Sequence, residues 1–282
     1  MVVRRTIPVP VRRGAAFAWE RWSIAGLASL AAAFLGLPIA ALVLRSLLDG
    51  SLAAALTTRV VFDALALSLA TTAISLVLTV VFGLPLAVLL ARARFRGCHL
   101  VEAIVNLPIV LPPSVAGLAL LLALGRQGFL GQQLTAVGFE IPFTTLAVIL
   151  AQTFVSAPFF ILAARTGIAA VDRDLEDAAR VDGASETQLF KGITLPLAGS
   201  ALAAGLVMCW ARSLGEFGAT IMFAGNVEGR TQTLPLVVYG EFQGGNLDGS
   251  IAAATILVLA ALGVLVAVRF LRWGRLDELR GA

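Results

Sequence analysis

Apolar residues run almost unbroken through six stretches of the chain, positions 23–47, 60–91, 100–124, 142–164, 195–223 and 250–271. None shows the alternating, ten-residue rhythm of a membrane barrel strand, so each predicts a helix. About 20 apolar residues carry a helix across a bilayer. The pattern therefore predicts an all-α, polytopic membrane protein with six transmembrane helices. The second and fifth stretches exceed that length and predict helices that tilt, bend or project. Inside the third, Pro108, Pro112 and Pro113 each remove a backbone donor and disturb the turn before them. A bend lining a pathway and a packing kink both account for these prolines at this stage.

Polar residues collect between the stretches, and their signs are not random. Most of the 21 basic residues fall in the N-terminal segment, in the loops after the second and fourth stretches, and in the tail. Positive charge marks the cytoplasmic side, so both termini are expected there. Residues 1–22 read as a cytoplasmic arm and 23–272 as one transmembrane domain. Positions 172–196 are a cytoplasmic loop within it, and 273–282 a cytoplasmic tail. Trp19, Trp22 and Trp273 flank apolar stretches and read as interfacial anchors.

Composition supports the membrane reading. Hydrophobic residues make up 59% of the chain and charged residues only 13%, too few charges to coat a soluble surface. The net charge of +4 sits where orientation requires it, which removes the need for a nucleic-acid partner. Cys98 and Cys209 lie in different environments, and no metal site or disulfide is expected. With one histidine and no G-x-S-x-G or H-E-x-x-H pattern, a membrane-embedded enzyme lacks a catalytic set.

The loop "VDRDLEDAARVDGASETQLFKGITLPLA" is far longer than the roughly 2–8 residues that a helix connection needs. Asp172 or Asp174 can cap a short helix, and Gly183 suits the left-handed residue that closes it. Ser185 and Gln188 have the spacing of a capping box for a second helix. A helix–turn–helix beneath the membrane follows. Its spacing resembles the EAA loop of ABC-importer permeases: an acidic residue, two alanines, three residues, glycine, nine residues, then I-x-L-P. Asp177, Ala178, Ala179, Gly183, Ile193, Leu195 and Pro196 occupy those positions, with Asp177 where glutamate is usual and Glu176 just before it.

That resemblance implies the type I ABC-importer permease fold. It also implies a docking surface for a cytoplasmic ATPase at Glu176, Asp177, Ala178, Ala179, Gly183, Ala184 and Ser185. The chain's own residues agree that nucleotide binds elsewhere. A P-loop needs Gly-Lys before Ser or Thr, and the lone Lys191 sits between Phe190 and Gly192. ATP and Mg are thus expected on the partner, with no cofactor in this chain.

A second segment, "CWARSLGEFGATIMFAGNVEGRTQTLP", places Arg212 and Glu216 one helical turn apart in apolar surroundings. A charge at mid-bilayer costs about 2.5–3.5 kcal/mol on insertion scales, so the pair needs a reason. It either gates or contacts an anion, or knits helices together with little net energy. This segment and "NLPIVLPPSVAGLALLLALGRQGFLG" closely resemble the corresponding parts of molybdate-type ABC permeases. Sulfate permeases share the general design, and Phe217 with "GRTQTLP" fits the molybdate kind better.

The resemblance implies import of molybdate or tungstate into the cytoplasm across a bacterial inner membrane. The implied partners are a second copy of the chain, two ATPase subunits and an oxyanion-binding protein. A dianion needs hydroxyls, amides or arginine. Candidate pathway residues are Asn106, Pro112, Ser114, Arg212, Ser213, Glu216 and Thr220, and Asn226, Arg230 and Thr231 form a loop facing the binding protein. Sulfate or thiosulfate import is the alternative in the same class. An ATP-independent anion transporter is the alternative from another class, and it leaves the long loop unexplained.

Overall fold

The computed structural model describes residues 16–93 and 95–278, with side-chain surroundings over 23–93 and 95–266. The side chains of the three tryptophans expected as anchors lie outside those bounds, as do the arm before residue 16 and the tail after 278. Every regular element among the described residues is helical. Helices α1 (Ala16–Leu48), α2 (Ser51–Leu56) and α3 (Arg59–Arg92) come first, followed by α4 (Cys98–Val110), α5 (Pro113–Leu124) and α6 (Gly131–Ala136). The long α7 (Thr145–Ala169) precedes α8 (Arg173–Val181) and α9 (Glu186–Leu189). A π-helical turn, Phe190–Thr194, then leads into α10 (Leu195–Leu197) and α11 (Gly199–Leu214). Helices α12 (Gly218–Phe223), α13 (Leu234–Gln243) and α14 (Leu247–Glu278) complete the described residues.

Of the six expected spans, four or five stand out as continuous or singly bent helices among the described residues. Among the described residues, α1, α3, α7 and α14 alone are individually long and apolar enough to cross a membrane. The run Glu186–Leu197 meets Gly199–Leu214 at 70°, and counted as one broken span it makes a fifth. The third apolar stretch divides into α4 and α5, each too short alone. The cause is local: Pro112 caps α5 and Pro113 opens it, and neither can donate to the turn before. The fifth stretch breaks between Leu214 and Gly218, where α11 ends on Gly215.

Helix α7 is the centre of the packing, held between α3 and α11. Ala87, Phe160, Ala164, Ala198 and Leu202 close one end of this layer. Ala116, Ala147, Ala151, Val155, Ala219 and Phe223 join α5, α7 and α12. Alanine dominates because small side chains let helices approach closely, as helix packing in lipid requires. Gly117 shows how close: a methyl group there would lie 2.6 Å from the carbonyl oxygen of Ala219. A third cluster joins α2, α3, α13 and α14 through Ala64, Leu234, Val237 and Ala253. The segment that follows the expected loop residues Asn226, Arg230 and Thr231 therefore folds back, because Leu234, Pro235, Leu236 and Val237 of α13 are buried.

Candidate functional site

Two sites emerge, one at the coupling loop and one where two broken helices meet. In the loop, Asp172 caps α8 by accepting from the Asp174 backbone N–H at 3.0 Å. Gly183, at φ +88°, turns the chain where a Cβ would be strained. Ser185 and Gln188 then form the expected capping box on α9. Arg180 bridges the turn, donating to Asp177 at 2.7 Å and to Glu186 at 2.8 Å. Bonds to these two carboxylates, chiefly Glu186, push its guanidinium pKa up. The helix–turn–helix is thus fastened by its own residues.

Asp177, Ala178, Gly183 and Ser185 are exposed, and Ala179 and Ala184 are half-buried. Val181 stands 87% exposed beside them, giving the loop an outward face of small and apolar groups. Glu176 departs from the docking surface expected for it. It is buried at 5% exposure and turned inward. There it accepts from Arg92 in the last turn of α3 and, at 2.8 Å, from the Thr194 hydroxyl in the π-helical turn. One carboxylate thereby ties α8 to a spanning helix and to the segment entering α11. A cavity of about 490 Å³ lies here, with Arg92, Glu176, Asp177, Arg180 and Glu186 in its wall.

At the second site Arg212 and Glu216 do meet, with Arg212 Nη1 2.5 Å from Glu216 Oε2. They are not on one continuous helix, however, because α11 ends at Leu214. Glu216 is 1% exposed and its Oε1 accepts the Ala219 backbone N–H at 2.7 Å. It therefore serves the start of α12 as well as the arginine. Ser213 and Thr220 are buried beside this break, and neither hydroxyl has a hydrogen-bond partner among the described residues.

The α4–α5 break lies against it. A methyl group at Gly218 would come within 2.8 Å of Pro113 Cβ and 3.0 Å of the Ser114 backbone nitrogen. Pro112 and Ser114 are exposed and Asn106 is half-buried. Asn226 and Arg230 are exposed, whereas Thr231 is buried and accepts the Val227 N–H at 2.9 Å. That residue organises its turn from inside.

The sequence reading missed a seam of hydroxyls along α3. Ser68, Thr71, Thr72, Ser75 and Thr79 are all buried. Ser75 accepts from Thr153 of α7 at 3.0 Å, and Ser68 accepts the Leu234 N–H of α13 at 2.8 Å. Gln152 is buried alongside, with neither amide atom bonded within the described residues. The helical spacing of those five residues was the available signal.

Apolar spans that are broken at facing points, together with a self-capped helix–turn–helix at one end, define a multi-pass transport component. The comparisons agree. Residues 83–273 match the family model described as "Binding-protein-dependent transport system inner membrane component", and the chain belongs to that family. The Mycobacterium tuberculosis "Molybdenum transport system permease protein ModB" is 43% identical over 205 residues, 73% of this chain and 77% of that protein. Its namesake from Escherichia coli is 37% identical over 213 residues, 75% of this chain and 92% of that protein. The crystal structure of a bacterial alginate ABC transporter bound to a pentasaccharide-carrying periplasmic protein shares the fold. It aligns at a TM-score of 0.70 and 18% identity over 89% of this chain and 92% of that one.

Proposed function

We propose that this chain is the membrane-spanning permease of an ABC importer that moves molybdate, tungstate or both into the cytoplasm. The observation that carries the reading is its 43% and 37% identity to permeases named for molybdenum transport, each over about three quarters of its length. The chain makes six crossings in this reading, the α4–α5 pair and the α10–α11–α12 run each counting as one interrupted crossing. Both termini face the cytoplasm. Two copies enclose the passage, two separate ATPases bind ATP and Mg, and a periplasmic or surface-tethered protein delivers the oxyanion.

The work of the chain is mechanical. An ATPase gripping the small-residue face around Ala178, Gly183 and Val181 pulls on α8. Glu176 passes that pull to Arg92 on α3 and to Thr194 at the foot of α11. The α11–α12 break then shifts against the α4–α5 break, where Arg212, Ser213 and Thr220 stand. Buried charge is costly in lipid, and Glu216 holds Arg212 in one pose until the breaks part.

The test is ATP-dependent uptake in vesicles holding the complete assembly, with labelled molybdate, tungstate and sulfate compared. Molybdate or tungstate should accumulate and sulfate should not. Preferential sulfate uptake would overturn the substrate assignment, and uptake without any ATPase would overturn the class.

A further inference from the structure

A second cavity, of about 640 Å³, opens where the end of α3, the start of α4 and the last part of α7 converge. Its wall holds Arg92, Arg96, His99, Glu102, Arg165 and Arg173. Two of the arginines are committed: Arg92 to Glu176, and Arg165 to Glu102. Arg96 and Arg173 are exposed and form no ion pair among the described residues. His99 reaches Glu102 only at 3.9 Å. Four guanidinium groups thus share one cavity with a single carboxylate of that wall, and Arg96 and Arg173 stand outside its ion pairs. The coupling loop takes only Arg92 and Arg173 from this wall for its own cavity, and the ion-pair site at Glu216 takes none.

An apolar strip continues from the rim. Phe95 lines the cavity, and Leu100, Ile104 and Leu107 stand exposed along α4. The cavity itself sits at the ends of α3 and α7, two of the helices long enough to span. It therefore lies at the boundary of the apolar layer, with cationic groups at one level and a hydrocarbon-compatible strip next to it. Guanidinium forks match phosphate oxygens in shape and charge. A free anion has no use for the strip, whereas a phospholipid has use for both.

We propose that this cavity is a binding site for the phosphate headgroup of an anionic phospholipid, held by Arg96 and Arg173 with its acyl chains along α4. The site depends on the chain's place in a membrane and not on which anion it transports. Basic side chains near an anionic surface contribute roughly 1 kcal/mol each, which is about fivefold in affinity per residue and about thirtyfold for two.

The purified full-length chain, equilibrated with mixed vesicles and recovered in detergent, should retain phosphatidylglycerol in preference to phosphatidylcholine by native mass spectrometry. R96Q and R173Q should each lower that retention about fivefold, and the double variant about thirtyfold. R96K/R173K should keep most of it. R126Q, at an exposed ion pair elsewhere, should change nothing. The single variants carry the test should the double one fail to fold. Equal retention by wild type and both single variants would overturn the site. Displacement of the lipid by millimolar inorganic phosphate or molybdate would make it a free-anion site instead and overturn the lipid assignment. Loss of molybdate uptake in the assembly has no bearing on either result, so this proposal and the substrate reading fail separately.

Discussion

Glu176 and Glu216 are both buried carboxylates, and each does two jobs with its two oxygens or its two partners. Removing one partner of a buried pair typically costs about 3–5 kcal/mol, because the remaining charge is stranded, whereas replacing both by apolar groups is often neutral. Arg92→Ala should therefore destabilise the chain more than the double change Arg92→Leu with Glu176→Leu. Thermal melting in detergent reads the stability, and a less stable double variant would refute the tether. The double variant should still transport poorly, since the pull on α8 would have no path to α3. At the other break, Glu216→Gln keeps an acceptor for the Ala219 N–H, and Glu216→Ala does not. The alanine variant should melt lower than the glutamine variant. In a double-mutant cycle, Arg212→Ala and Glu216→Ala should be non-additive by about 1–3 kcal/mol. Strict additivity would mean that the two side chains do not act as a pair. The Arg212–Glu216 meeting was legible from their spacing. The inward turn of Glu176 was not, because Arg92 lies 84 positions away and only the tertiary fold joins them.

The elements that could be read in advance are those whose ends are written locally. Asp172, Gly183 and the Ser185–Gln188 box each act within a few residues, so the helix–turn–helix followed from spacing alone. Gly183 offers the sharpest test at this scale. Its φ of +88° is a region that L-residues enter at a cost of roughly 1–2 kcal/mol, and beyond its two chain neighbours no residue has an atom within 4 Å of a methyl group placed there. Gly183→Ala should therefore act through backbone strain, not through a clash. It should slow ATP-driven uptake several-fold and leave the helical content seen by circular dichroism unchanged. Uptake at the wild-type rate would show that the turn angle does not matter for coupling. By contrast, α13 could not be read in advance, because its short apolar run "LPLVV" is flanked by Gly- and Asn-rich residues. Burial against α3 and α14, and not local propensity, makes it part of the core. The count of continuous helices was hard to read for a related reason: apolarity persists through residues 100–124 although the prolines stop the helix.

For the whole molecule, the arrangement in the membrane ties these parts together, and the chain carries its own probe of it. Its cysteines, both unpaired, differ in access: Cys98 is partly exposed at the start of α4, and Cys209 is buried within α11. Cys98 follows the Arg92 end of α3 and belongs to the same end of the molecule as the coupling cavity, since Arg92 lines both that cavity and the one next to Cys98. If ATPases dock at that end, a membrane-impermeant maleimide should label Cys98 in inverted vesicles and fail to label it in right-side-out ones. Cys98→Ser should abolish the signal, which also checks that buried Cys209 stays silent. A cysteine placed at the exposed Asn226 should show the opposite sidedness, because it lies beyond the α11–α12 break from the coupling loop. Labelling of Cys98 from the outside would invert the molecule. The basic loops would then face the wrong compartment, and the face around Gly183 would be out of reach of any cytoplasmic motor.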